Sequence, residues 1–351
     1  MKRIEFFWLT FLILLITFQP IKAQESEKDS QLAVNPLELI NSHLGDSYFW
    51  PLLGVEKKSY TLPLPVILYG PDHKWYFFQS FRLWEGASYK GFYIAKEGNY
   101  QGKIVYKNSS GEEERPLDLS FTRNALALFL SSAILVFFLL SFKRFYKRKP
   151  KEMPKRTKGM IEMLMFMLID EVIKPTIGKS YKKYTPYLLT LFFFILTINL
   201  MGLIVVFPGG VNLSGNVSVT LVLAACTLVI TIFSGTKGYW KEIFWPDVPM
   251  WLNAPLPIMT IIEIFGIFSK PFALMVRMFA NLFGGHVISI VLVSLIFIFA
   301  PFGVWVEGLS SIFVVIFSVF MLLIEVLVCF IQAYVFFMLT TLFIGLAKVD
   351  H

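Results

Sequence analysis

Long apolar runs separated by short polar segments occupy the chain from residue 123 onward. Three of them, at residues 124–142, 187–207 and 217–233, suit single membrane spans, since about 20 apolar residues cross a bilayer as a helix. Two more, at residues 257–301 and 308–346, would each be about 60 Å long as helices, twice the hydrocarbon thickness of about 30 Å. The pattern predicts an all-α polytopic membrane protein with about five membrane helices. The last two are expected to be long and steeply tilted or bent, and to form a hairpin through the turn APFGVWVEG.

The segment at residues 159–178 is apolar but contains Glu162, Asp170 and Glu171 and passes through Pro175. This mixture is typical of an amphipathic helix that lies at the membrane interface. A basic loop at residues 143–158 follows the first predicted span, which places that end of the span in the cytoplasm by the positive-inside rule. The N-terminal region is then outside and the C-terminus cytoplasmic, and the membrane channel domain covers residues 186–351.

The first 122 residues divide into two parts. Residues 1–23 begin with Lys2 and Arg3, continue with a short apolar core and end on a small residue before a possible cleavage point, which indicates a signal peptide. An uncleaved first span is the alternative, although the apolar core is shorter than a span needs. Residues 24–122 alternate short apolar runs such as GFYIA and GKIVY with turn sequences, which predicts a small exported region with β-strands.

Composition agrees with a membrane location. Of the 351 residues 56% are hydrophobic and 16% are charged, whereas soluble domains have about 25% charged residues. Much of the net charge of +8 lies in the basic loop directly after an apolar run, which favours a membrane anchor over nucleic acid. Both cysteines lie in apolar segments, so we expect no disulfide framework, metal cluster or cofactor.

The stretch LMVRMFANLFGGHVISIV places Arg277 inside the first long apolar run. A charge at the centre of a membrane helix costs about 2.5–3.5 kcal/mol on insertion scales and is functional by default. At about 100° per residue, Glu263, Lys270, Arg277 and Asn281 share one face of a helix within about 40° and His286 lies on the opposite face. Arginine cannot exchange its proton at physiological pH, whereas histidine and a desolvated glutamate can.

On the second long run, Glu325 and Gln332 are seven residues apart and share a face. Less specific interpretations remain open for the polar residues. Arg277 could be a snorkelling or structural arginine, and Glu263 and Lys270 could form only a solvated ion pair. Asn199, Asn281 and Gln332 could be hydrogen-bonding contacts between helices.

Four stretches together, SKPFALMVRMFANLFGGH, IEVLVCFIQAYVFFMLTTLF, INLMGLI and NVSVTLVLA, resemble subunit a of F-type ATP synthases. The resemblance runs from about Met153 to the C-terminus. It implies two nearly horizontal helices that cup a ring of c subunits, two half-channels that reach the ring, and no catalytic chemistry on this chain. It also implies a bacterial inner-membrane location and, as partners, the c-ring, b-type peripheral stalk subunits, other ATP synthase subunits and membrane lipid, without nucleic acid.

The resemblance also implies roles for individual residues. Arg277 corresponds to the essential arginine that opposes the c-subunit carboxylate, with Asn281 and Gln332 as polar neighbours. His286, Glu325 and Asn199 would line the outer half-channel, and Glu263 would lie toward the cytoplasmic one. Many bacterial members have glutamate where this chain has His286 and histidine where it has Glu325, so the pair is exchanged. An acidic residue common in the second span is Gly202 here.

Two other classes of function are weaker. A stand-alone ion or solute transporter would be expected to have repeated halves, which the sequence does not show. An intramembrane hydrolase would need a motif such as H-E-x-x-H or G-x-S-x-G, and neither occurs.

Overall fold

The structure is a computed structural model that describes most of the chain. The described residues are 46–53, 60–95, 98, 100–108, 111–148, 157–204, 209–211, 213–244, 258–299 and 303–348. The predicted signal peptide at residues 1–23 lies outside them.

The N-terminal region is built from short antiparallel strands. β1 (Phe49–Leu53) pairs with β2 (Tyr60–Pro63), β3 (Pro65–Tyr69) lies between β4 (Trp75–Gln79) and β8 (Leu117–Asp118), and β6 (Ile104–Lys107) lies between β5 (Phe92–Ile94) and β7 (Glu113–Glu114). A 3-10 helix, Ser80–Gly86, follows β4. The prediction of a β-rich N-terminal region is confirmed.

The small core of this region lies between the two three-stranded sheets. Val66 and Leu68 of β3 alternate inward and pack with Leu83, Phe92 and Ile104, as the period of two in a strand requires. The buried hydroxyl of Tyr48 donates a hydrogen bond to Asp118 of β8. Burial, followed by this carboxylate, raises the pKa of Tyr48 well above its usual value.

The remainder of the described chain is mostly helical. The helices are α1 (Arg123–Arg148), α2 (Thr157–Met167), α3 (Lys174–Ile177), α4 (Tyr181–Leu203), α5 (Val217–Ser234), α6 (Lys237–Phe244), α7 (Ile258–Phe299) and α8 (Val304–Lys348). Among the described residues, five helical stretches are long and apolar enough to cross a membrane. This confirms the prediction of a mostly helical polytopic protein with about five membrane helices.

The stretch predicted to lie at the interface, residues 159–178, is one helical run that continues into α4. A π-helical turn, Leu168–Ile173, joins α2 to α3, and a 3-10 turn, Gly178–Ser180, joins α3 to α4. Pro175 has no N–H to donate to the preceding turn, and the wider turn lies directly before it. Met160 and Met163 are exposed, whereas Leu168 and Ile173 are buried. The position of this stretch relative to the bilayer stays a prediction.

The two last helices have the predicted length. α7 has 42 residues and α8 has 45, so each is roughly 63–68 Å long at 1.5 Å per residue. α7 continues through Pro271 without interruption. Both helices exceed the hydrocarbon thickness of about 30 Å and must lie obliquely to remain within it.

The membrane core is centred on α4, which packs against α8. The ring of Phe192 on α4 makes edge contacts with Phe330 and Phe337 of α8, at centroid distances of 6.0 and 5.8 Å. Near its C-terminal end α8 also touches α3, where a Cβ on Gly345 would lie 2.7 Å from the carbonyl oxygen of Thr176. These contacts fix α8, and therefore the surface on which α7 lies.

Candidate functional site

Two polar contacts join α7 to α8. The Asn281 side chain donates through Nδ2 to Oε1 of Gln332 at 3.0 Å. Two turns later on α7, the Ser289 hydroxyl donates to Oε1 of Glu325 at 3.1 Å. From the first contact to the second, residue numbers rise on α7 and fall on α8, so the two helices are antiparallel, as the predicted hairpin requires. The two polar contacts fix how α7 and α8 are aligned along their length.

Asn199 ties α4 to the same part of α8. Its Nδ2 donates to the carbonyl oxygen of Cys329 at 3.3 Å, and the residue is 1% exposed. Its Oδ1 is buried and has no hydrogen-bond partner within the part of the chain that the structure describes. A buried amide oxygen without a partner costs free energy, so this position favours a water molecule or another polar group.

Arg277 lies one helical turn before Asn281 on α7 and is exposed. Its guanidinium makes no hydrogen bond or ion pair with any other described residue. The side chains of Phe272 and Val276 beside it on α7 are also exposed. Within the described part of the chain, this permanent cation is therefore exposed beside apolar side chains, a position that favours a water-filled cavity or a charged partner. The interpretation of Arg277 as an arginine bonded to a carbonyl of its own chain finds no support among the described residues.

A cavity of about 300 Å³ opens between α7, α8 and the end of α4. Its polar lining comes from Asn281 and Glu325, and the remainder comes from Gly284, Gly285 and apolar side chains that include Leu203. A Cβ on Gly285 would lie 2.9 Å from Oε1 of Glu325, so the missing side chain leaves room for the carboxylate. A space of this size with two polar groups can hold several water molecules.

Glu263 and Lys270 lie on the same helix toward its other end. They form no ion pair with each other in the described part of the chain. Instead the Lys270 ammonium lies 5.9 Å from the centre of the Phe343 ring on α8, a cation–π contact. Burial, and to a smaller extent the charge of Glu263, raises the pKa of Tyr239 on α6.

Comparison with known proteins identifies the family to which the helices carrying these polar contacts belong. Residues 125–345 match the family described as ATP synthase A chain. This chain belongs to that family. The match covers α1 and all the helices that hold the polar contacts described above. A second match, at residues 39–119, is to a domain of unknown function, DUF8433, and covers the β-stranded region.

Individual members of the ATP synthase A chain family align with about the same part of the chain. ATP synthase subunit a 2 of Chlorobaculum tepidum is 40% identical over 240 residues, which are 66% of this chain and 64% of the relative. ATP synthase subunit a of Chloroherpeton thalassium is 37% identical over 243 residues, covering 67% of this chain and 69% of the relative. The Myxococcus xanthus protein of the same name is 38% identical over 189 residues, 52% of this chain and 59% of its own.

In this family member, the residues predicted from sequence fall into three groups. Asn199, Asn281, Gln332 and Glu325 come together where α4, α7 and α8 meet, and Arg277 adjoins them. Glu263 is 14 residues before Arg277, about 21 Å away along the helix at 1.5 Å per residue. His286 belongs to α7, and its side chain lies outside the described part of the structure.

Ser289 was not predicted as a functional residue, yet it holds the Glu325 carboxylate. One signal in the sequence could have indicated it. Ser289 follows Gly285 by four residues, so both share a face of α7, and both approach Glu325. A small residue and a hydroxyl on one face indicate a close approach by a polar group from another helix.

Proposed function

We propose that this chain is the proton-translocating stator subunit of an ATP synthase. It provides two half-channels to a ring of c subunits, and Arg277 separates them. The single observation that carries the proposal is the exposed guanidinium of Arg277, which has no partner among the described residues and stands on an apolar helix surface. Family membership supports the same role.

The electrostatics of Arg277 favour a carboxylate on a neighbouring membrane protein. At a separation of 4 Å and an effective dielectric constant of about 20, opposite charges attract by roughly 4 kcal/mol, which offsets the cost of about 2.5–3.5 kcal/mol for a cation at that depth. Arginine keeps its charge throughout. Arg277 therefore attracts a carboxylate of the ring only when that carboxylate is ionised, and it does not hold the protonated form.

The amide pair beside Arg277 supports this role by being neutral. The bond from Asn281 to Gln332 holds α7 against α8 one turn from the guanidinium. The two amide side chains form a hydrogen bond with each other and add no negative charge that would pair with Arg277. Arg277 thus lies on a helix, α7, that is held against α8, and its exposed guanidinium is available to the ring.

The cavity supports a water-filled path on one side of Arg277. Protons would move through water past Asn199, His286 and Glu325 and neutralise a ring carboxylate. The neutral carboxylate then travels through lipid with the rotating ring and loses its proton to a second path near Glu263. Because Arg277 repels a proton and holds the ionised carboxylate, protons cannot pass directly from one path to the other.

Basic residues support an orientation with the C-terminus in the cytoplasm. They gather at the end of α1, at the start of α4, on α6 after α5, and at the end of α8. The backbone N–H of Thr236 donates to Ala347 at 3.0 Å, and the Lys348 ammonium lies 5.8 Å from the Tyr184 ring. The segments that connect α4 to α5 (204–216) and α7 to α8 (300–303) contain no lysine or arginine. By the positive-inside rule the basic end is cytoplasmic and the β-stranded region is outside.

The bacterial relatives support a location in the bacterial inner membrane. The proposed partners are the c-ring, b-type peripheral stalk subunits and the other ATP synthase subunits. The nucleotide chemistry would belong to those other subunits, and this chain would be non-catalytic.

Replacement of Arg277 tests the proposal. We expect Arg277→Ala to abolish ATP-driven proton pumping in inverted membrane vesicles, because the ring carboxylate would no longer be held ionised between the two paths. Lys237→Ala removes one positive charge from an exposed position on α6 and should leave pumping unchanged. Copurification of the c-ring reports whether each variant assembles.

Normal pumping by an assembled Arg277→Ala complex would refute the role. Ion transport by the chain alone in liposomes would instead favour a stand-alone transporter.

A further inference from the structure

The sheet formed by β4, β3 and β8 has apolar side chains on both faces. One face packs into the core of the N-terminal region through Val66 and Leu68. The other is exposed and is called here the outer aromatic face; its residues are Trp75, Phe77, Leu117, Leu119 and Phe121. Trp75 is 50% exposed and Phe77 is 70% exposed. An antiparallel sheet with one buried face ordinarily presents polar side chains on the other, so this face is anomalous for a surface in water.

Strand register makes the outer aromatic face continuous. Phe77 lies opposite Ile67, and Trp75 lies opposite Tyr69, which also pairs with Leu117. The backbone N–H of Leu119 donates to Ile67 at 3.0 Å, and that of Phe121 donates to Pro65 at 3.1 Å. The alternation therefore continues beyond β8, with every second residue from Leu117 to Phe121 on the same side.

The second sheet of the same region provides a contrast. Its exposed positions include Lys107 on β6 and Glu113 and Glu114 on β7. Tyr93 and Tyr106 donate to those two carboxylates at 2.7 Å, and these hydrogen bonds raise the pKa of both phenols. The sheet of β5, β6 and β7 thus presents charged residues to its surroundings, as expected in water, whereas the sheet of β4, β3 and β8 presents apolar ones.

The outer aromatic face continues into an exposed apolar side of α1. The rings of Phe121 and Phe129 are in edge contact, with centroids 6.5 Å apart. Phe129 is 69% exposed and begins a row of exposed apolar residues on α1 that continues through Val136 and Leu140. Only four residues separate the end of β8 from Arg123, which limits the distance between sheet and helix to about 18 Å.

We propose that the outer aromatic face lies against the lipid of the leaflet in which α1 begins. Tryptophan and tyrosine prefer the boundary between lipid and water, and Trp75 and Tyr69 stand together on this face with ring centres 5.1 Å apart. Exposed apolar patches of this kind mark contacts with a membrane or a protein, and continuity with the exposed apolar side of α1, a helix long and apolar enough to cross a membrane, favours the membrane. The β-stranded region is then held flat on the bilayer beside the helices instead of standing free in water.

Spin-label accessibility in the assembled complex, reconstituted in liposomes, tests this placement. A nitroxide is attached at Phe77→Cys, or at Leu119→Cys as a second position, after Cys226 and Cys329 have been changed to alanine. The matched control is Lys107→Cys on the charged sheet. The rate at which the nitroxide collides with oxygen, which is enriched in lipid, is compared with the rate at which it collides with a water-soluble nickel chelate. Phe77 and Leu119 are exposed in this chain, so the substitutions remove no core packing.

We expect oxygen collisions to exceed nickel collisions at positions 77 and 119, and the order to be reversed at position 107. Nickel accessibility at position 77 equal to that at position 107 would show a face open to water and overturn the proposal. Low accessibility to both reagents would show a face covered by protein, either another subunit or a second copy, and would also overturn it.

Discussion

At the scale of residues, the ionisable groups of the α7–α8 hairpin divide into two kinds of environment. Arg277 is exposed and has no partner in the described part of the chain, while Glu325 is half-buried beside a cavity and accepts a hydrogen bond from Ser289. The permanent charge is thus presented outward, and the titratable group is kept within the chain next to space for water. Such a division suits a cation that acts on a neighbouring subunit and a carboxylate that handles protons.

Gly285 controls the room available to Glu325, and its replacement is a direct test. In Gly285→Ala the added Cβ would lie 2.9 Å from Oε1 of Glu325, so the end of this side chain must shift, and we expect its hydrogen bond from Ser289 to be lost. A hydrogen bond to a charged group contributes about 1.5–3 kcal/mol, and a cost of that size in the barrier slows proton movement about ten-fold or more. The measurement is the rate of ATP-driven pumping in vesicles.

Gly284→Ala is the matched control, because a Cβ at Gly284 meets nothing within 4 Å. It makes the same chemical change one residue earlier on α7. Equal pumping rates in Gly284→Ala and Gly285→Ala would contradict the role assigned to the space beside Glu325.

The sequence predicts part of this site, for a physical reason. Charged and amide residues in an apolar helix raise the free energy of inserting it into a membrane, so each one stands out in the sequence as a candidate functional residue. Arg277, Asn281, Glu325 and Gln332 can therefore be identified one at a time. Their pairing across helices cannot be derived from the period of either helix, because it depends on how α7 and α8 slide past each other. Ser289 becomes meaningful only when that register is known.

At the scale of elements, α8 is the helix that organises the membrane part. It packs along α4 through aromatic rings, along α7 through two polar contacts, and against α3 at Gly345. Its length could be predicted from its uninterrupted apolar run. The π-helical turn between α2 and α3 could not, because it reflects a local change of hydrogen bonding that apolar periodicity does not record.

Gly345 is expected to be required for the contact between α8 and α3. In Gly345→Ala the added Cβ would lie 2.7 Å from the backbone oxygen of Thr176, and a backbone atom cannot move aside as a side chain can. Overpacking of this kind costs about 1–3 kcal/mol. We expect a lower temperature at which half of the purified complex in detergent loses its native assembly.

Gly308→Ala is the control on the same helix, because a Cβ there meets nothing within 4 Å. It should be as heat-stable as the unmodified complex. If Gly345→Ala were equally stable, the close approach of α8 to α3 would be wrong.

At the scale of the whole molecule, two regions of different chemistry meet at the junction between β8 and α1. The two family matches divide at the same place, at residues 119 and 125. The β-stranded character of the first region could be predicted from alternation and turn sequences, whereas its sheet order could not, because pairing between distant strands leaves no local pattern. The outer aromatic face continues onto α1 through Phe121 and Phe129, and on the proposal above both regions then contact the membrane.

A map of the assembled complex in lipid, at a resolution that shows side chains, tests the central claim most directly. The account predicts the guanidinium of Arg277 within about 4 Å, ion-pair distance, of a carboxylate on the c-ring, with Asn281 still bonded to Gln332 behind it. An Arg277 side chain paired within its own chain, or facing lipid on the side away from the ring, would contradict it.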